Sequence, residues 1–128
     1  MVLASCHAKE ASGGAQNTPG AADSTRIMAT LALMRTELKQ VIMAQEAYFS
    51  EYNSYAPAFG SVQQAAVMKF VPTDQNVMVI SNADPNGYTA VMTNPTLTAA
   101  PNTCGVFIGP PANAPNAAAT QEAMPACW

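Results

Sequence analysis

Charge is scarce in this chain of 128 residues: Asp, Glu, Lys and Arg make up 10%, against about 25% in an ordinary soluble domain. Five Lys and Arg face eight Asp and Glu, a net charge of −3, and the cations are scattered. Nucleic acid requires a clustered cationic face and is excluded as a partner. A polybasic grip on anionic lipid is excluded for the same reason. Long apolar runs are missing too. The richest stretch, Ile27 to Ala47, is broken by Arg35, Glu37, Lys39 and Glu46, so no transmembrane helix is encoded. Histidine occurs once, as His7, and a lone imidazole in a polar leader can neither orient a nucleophile nor complete a metal site. No Gly-rich phosphate loop follows a strand, and Cys-x-x-Cys-His is absent, which excludes covalent haem. The chain is expected to be no enzyme and to hold no cofactor. Its surface of Ala, Asn, Thr, Pro, Gly and Gln suits an exported protein or a partner-covered subunit, since free cytosolic proteins keep more surface charge.

Cysteine is scarce as well, and odd in number: Cys6, Cys104 and Cys127. In an exported chain an odd count leaves one cysteine free, intermolecular or modified. Cys104 and Cys127 bracket a stretch rich in Pro, Asn and Ala that cannot form a core of its own. A disulfide there would contribute about 3.5 kcal/mol in the chain-entropy picture; two buried reduced thiols are the alternative. Cys6 follows Leu3-Ala4-Ser5, which resembles the lipobox before the lipid-modified cysteine of bacterial lipoproteins. A polar small-residue tether comes after it, from His7 to Gly20. The resemblance implies lipidation at Cys6, and thereby a lipid anchor.

Residues 1–22 read as a flexible leader, punctuated by Gly13-Gly14 and Pro19-Gly20, and residues 23–128 as the one folded domain. Asp23-Ser24 offers a helix N-cap. Apolar residues then recur at Ile27, Leu31, Met34, Leu38, Val41 with Ile42, Tyr48 with Phe49, and Tyr52, with Gln45 on the same stripe. Spacings of three and four predict a helix of about 30 residues, roughly 45 Å long, ending near Asn53-Ser54 and Pro57. Glu37, Glu46 and Glu51 are expected on a solvated helix edge. Val62 to Phe70 reads equally as a short helix or an edge strand. Val77–Ile80, Tyr88–Met92 and Cys104–Ile108 read as strands, with Asn82 to Gly87 as a loop. The fold class is α+β: one long N-terminal helix packed on a small antiparallel sheet of three or four strands, with a disulfide-closed C-terminal loop.

Several of these residues, taken in order, resemble a family. Leu38 to Tyr55, with its Ala44-Gln45-Glu46-Ala47-Tyr48-Phe49 run and Asn53-Ser54-Tyr55 exit, is similar to the C-terminal half of the long helix of type IV pilins and type II secretion pseudopilins. Val77–Ile80 with Gly87-Tyr88-Thr89-Ala90 resembles the family's hairpin, and Cys104 to Trp128 its disulfide-closed loop. Pilins begin with about 20 apolar residues that anchor the subunit; here the lipobox-like start and tether stand in that place. The resemblance implies a pilin-like domain without enzymatic activity. The expected function is that of a lipid-anchored accessory subunit on the periplasmic side of a bacterial membrane, docked on other protein subunits of a larger complex such as a respiratory or photosynthetic one. The alternative is a minor pseudopilin of a type II secretion or type IV pilus system lacking its native N-terminal helix. Some pseudopilins carry calcium in the C-terminal loop, but this loop offers only Glu122, so no metal is expected.

Two further groups bear on partners. The chain has eight methionines; Met34, Met78 and Met92 fall at core positions, and adaptable packing accounts for the group better than soft-metal binding. Tyr48, Phe49, Tyr52, Tyr55 and Phe59 gather at the helix exit and are expected to pack mostly on the sheet. Short strands of about 17 Å cannot span the helix, so its first turns are expected to project past them. Ile27, Leu31 and Met34 are therefore expected to be exposed and to form the partner-binding patch.

Overall fold

The computed structural model describes residues 19–61, 67–73 and 75–128. Its first element, α1, runs from Pro19 to Tyr52 over 34 residues, starting earlier than Asp23. Pro19 and Gly20, expected in the leader, belong to the helix. Proline suits a first helical position, where its missing N–H is one of the amides that no carbonyl would accept. The chain divides within α1 into two units, Met1–Thr30 and Leu31–Trp128. Residues 1–18, with the expected lipidation site Cys6 and with His7, lie outside the described residues.

Within the second unit α1 lies on a four-stranded antiparallel sheet, an α+β arrangement. Before the sheet come two short parallel strands, β1 (Phe59–Gly60) and β2 (Met68–Lys69). The strand alternative for Val62 to Phe70 holds at Met68 and Lys69; residues 62–66 are outside the described set. The sheet itself is β3 (Val77–Asp84), β4 (Gly87–Thr93), β5 (Thr103–Ile108) and β6 (Ala126–Cys127), in that spatial order.

The expected loop from Asn82 to Gly87 is mostly strand, tightened to a turn at Pro85-Asn86. Asp84 Oδ1 accepts the N–H groups of Asn86 at 2.7 Å and Gly87 at 3.0 Å, the local side-chain closure that Asp favours in turns. A Cβ on Gly87 would overlap the Ile108 carbonyl, so the close approach of β4 to β5 requires glycine here.

Registers Met78↔Met92, Ile80↔Ala90, Ala90↔Val106 and Met92↔Cys104 place these side chains on one face of the sheet, because facing residues on antiparallel strands share a side. That face packs against Leu31, Met34, Leu38 and Val41 of α1, all of them buried. The opposite face, with Thr89, Val91, Gly105 and Phe107, is partly covered by the C-terminal tail. A Cβ on Gly105 would come within 2.8 Å of both Pro115 and the Trp128 ring. The Thr89 hydroxyl donates to the Asn113 carbonyl at 2.5 Å, from a short 3₁₀ turn at Pro111–Asn113.

Burial overturns one expectation. Met34 is fully buried and Leu31 is 6% exposed, while Ile27 is half-buried. The patch expected at Ile27, Leu31 and Met34 is not an exposed one: Leu31 and Met34 continue the stripe of Leu38 and Val41 and enter the same core. Strand length alone underestimated what meets the helix: Thr73 and Asn76, from the segment before β3, also hydrogen-bond to Glu37 of α1.

Candidate functional site

The covalent closure of the tail is where several elements meet. Cys104 and Cys127 face each other across β5 and β6 and form a disulfide spanning 23 residues. Pairing of the last strand continues past it, as the Trp128 carbonyl accepts the N–H groups of Asn102 and Thr103. From α1, Arg35 Nη1 donates to Cys127 Sγ at 3.4 Å. Arg35, Thr36 and Lys39 form one wall of an open groove of about 380 Å³, and Ala123, Met124 and Pro125 form the other. The i, i+4 spacing puts both cations on one helix face. The lining holds no carboxylate, so its electrostatics suit an acidic or hydrogen-bond-accepting segment of a partner. Ala123 holds φ at +63°, a conformation a residue with a Cβ seldom adopts, and its N–H donates to the Phe107 carbonyl at 3.0 Å.

A second groove, of about 160 Å³, lies further along α1. Ala44, Ala47, Tyr48 and Tyr52 line it from the helix, and Val67 and Met68 from the far side. The rings of Tyr48 and Tyr52 are 4.5 Å apart. The remaining aromatics of the helix exit divide as follows. Phe49, Tyr55 and Tyr88 form a chain of rings at 4.7 and 5.0 Å that runs inward to the sheet. Phe59 pairs with Phe70 at 6.5 Å.

Two polar side chains of α1 are buried, and one was expected in solvent. Glu37 is 2% exposed. It accepts hydrogen bonds from the N–H and hydroxyl of Thr73 and, at 3.2 Å, from Asn76 Nδ2. Asn94 Nδ2 extends the network by donating to Asn76 Oδ1 at 2.7 Å. Donors from the segment before β3 thus replace water around the Glu37 side chain, as a buried polar group requires. Gln45, on the predicted apolar stripe, clamps the backbone of Ala56: its Oε1 accepts the Ala56 N–H at 2.8 Å and its Nε2 donates to the carbonyl at 3.0 Å. Both fix the paths of segments leaving the helix.

Burial pushes the Tyr88 phenol well above its ordinary range, with Tyr55 and Glu46 adding to the effect. Among the described residues its hydroxyl has no hydrogen-bond partner. Tyr55 is also raised, first by burial and then by donating to Glu46 Oε2 at 3.1 Å.

Of the residues singled out from sequence, the structure joins Cys104 to Cys127 and buries Leu31 and Met34. Among the described residues no three His, Cys, Asp or Glu side chains are grouped to hold a metal ion, and no helix is long and apolar enough to cross a membrane. The i, i+4 spacing of Arg35 and Lys39 is the one signal of this groove in the sequence, because the wall opposite them comes from residues about 90 positions later. No known protein family, curated protein or solved structure matches this chain.

Proposed function

We propose that the chain is a non-enzymatic accessory subunit with a pilin-like domain, lipid-anchored through Cys6 on the periplasmic side of a bacterial membrane and docked on a larger protein assembly. The observation that carries this reading is the order of elements: a long helix, then an antiparallel meander, then a tail closed by Cys104–Cys127. That order resembles pilins and pseudopilins, whose work is done by surfaces. The tetrapeptide Leu3-Ala4-Ser5-Cys6 and the charge-poor composition favour a tethered, partner-covered member of that kind. The groove at Arg35 and Lys39 takes the place of Ile27, Leu31 and Met34 as the docking surface on the helix.

The same order of elements also favours a second reading, a minor pseudopilin of a secretion or pilus system. Intact-mass analysis of protein taken from native membranes separates the two. Loss of Met1 to Ser5 with diacylglycerol added on Cys6 is the expected result. A free Cys6 thiol, in a chain continuing upstream into a processed apolar helix, would establish the pseudopilin reading instead.

A further inference from the structure

The two edges of the sheet are built differently. One ends in β6, a strand of two residues that the disulfide ties down. The other is β3, eight residues long and paired only with β4 among the described residues. An edge strand presents a row of unpaired N–H and C=O groups, and proteins ordinarily blunt it with charge, proline or a bulge. In β3 such devices are confined to the hairpin end. The register shifts between Ser81 and Asp84, Asn82 takes φ +57°, and the Asp84 carbonyl accepts the Tyr55 N–H at 3.3 Å. From Val77 to Ser81 there is no charge, no proline and no bulge, and among the described residues no further backbone bond is made outward. The tail that covers β4 and β5 stops short of this strand, leaving Val77 54% and Val79 60% exposed.

We propose that Val77–Ser81 is a self-association edge, on which a second copy of this chain pairs antiparallel about a twofold axis at Val79. The unpaired backbone groups specify an extended strand as occupant. The side chains specify the same strand, because with Val79 on the axis Val79 meets its own copy, Met78 meets Ile80, and Val77 meets Ser81. Apolar side chains stand opposite each other at the centre of both faces, and no like charges oppose anywhere in the paired segment, so the strand is its own complement. The two sheets become one of eight strands, and the exposed Val79 side chains cover one another. Only about 17 Å of strand is joined, which makes a reversible, concentration-dependent dimer.

This inference is independent of the lipid anchor and of the docking assembly. It is tested by sedimentation of the full chain over a concentration series, with the Cys6 thiol alkylated and Cys104–Cys127 intact. The mass is expected to rise from 13.3 kDa toward twice that value, with the Val77–Ser81 amides exchanging more slowly as concentration rises. Val79→Lys sets like charges face to face on the axis and is expected to weaken the dimer at least about tenfold at unchanged melting temperature. Val79→Thr, uncharged and β-branched, is expected to keep the dimer within about threefold. Should Val79→Lys fail to fold, Ser81→Lys, opposite Val77 of the second copy, serves in its place. A chain monomeric at every concentration overturns the proposal, as does a dimer indifferent to lysine at these positions or a dimer lost as fully in Val79→Thr.

Discussion

The two faces of the sheet are covered by different means. One lies against α1, and Leu31, Met34, Leu38 and Val41 of the helix and Met78, Ala90, Met92 and Val106 of the sheet are all buried. The other is partly covered by a tail with few large apolar residues beyond the Trp128 ring. That tail is held by the backbone bonds around Trp128, by the Thr89–Asn113 hydrogen bond and, at its end, by the disulfide, whose Cys104 side chain lies on the helix face. The helix face is thus held mainly by transfer of apolar surface out of water, the tail face by covalent and polar attachment. On the tail side Val77 and Val79 of β3 stay exposed.

Cutting the covalent attachment is the strongest way to break that contrast. Replacing Cys104 and Cys127 together by Ser is expected to cost about 3.5 kcal/mol, from the loop entropy returned to the unfolded chain. Denaturant titration of the double variant against the oxidised parent measures it. A loss well below that figure would show that the reduced, unfolded chain keeps structure across the loop.

The helix face has its own test. Met34→Ala removes a fully buried side chain from the middle of the layer and is expected to cost about 3 kcal/mol through lost transfer energy and the cavity left behind. Met28→Ala and Met43→Ala, at residues about 70% exposed, are expected to change the unfolding midpoint little. Equal losses at all three positions would contradict the division between stripe and outer face.

A smaller effect sharpens the comparison where the aromatic chain reaches the sheet. The Tyr88 hydroxyl is buried without a hydrogen-bond partner among the described residues, so Tyr88→Phe is expected to stabilise the domain by about 1 kcal/mol. The pH dependence follows the same cause. Burial raises both Tyr55 and Tyr88, so the folded state holds two phenolic protons that the unfolded chain releases from about pH 10. The stability linked to them is therefore complete below about pH 10 and falls as pH rises beyond it. Thermal melts at alkaline pH should show a shallower fall in Tyr88→Phe than in the parent.

Much of this fold was legible in the sequence, and the legible parts have a common source. Spacings of three and four from Ile27 to Tyr52 disclosed the helix, and alternation in Tyr88–Met92 disclosed a central strand, because both depend on neighbours along the chain. The unpaired composition of the tail pointed to Cys104 with Cys127. Glu37 was misread as solvated: nothing near it in sequence announces the donors of Thr73 and Asn76, which arrive from a separate loop. The depth of Leu31 and Met34 was misread for the same reason, since exposure was inferred from the reach of the strands alone. The groove at Arg35 and Lys39 depended on a tail wall that carries no periodic signal.

By itself, then, the sequence determined the local matters: where the backbone coils or extends, which stripe of the helix is apolar, and which cysteines close the tail. These follow from side-chain period, chain stiffness and loop entropy, and each acts over a short range or needs no geometry. Only the tertiary structure decided which carboxylate is buried and satisfied, how far along the helix the core runs, and that Val77–Ser81 is an unprotected edge. Burial, polar satisfaction and edge pairing belong to surfaces assembled from distant segments, and their free energies are set only once those segments have met.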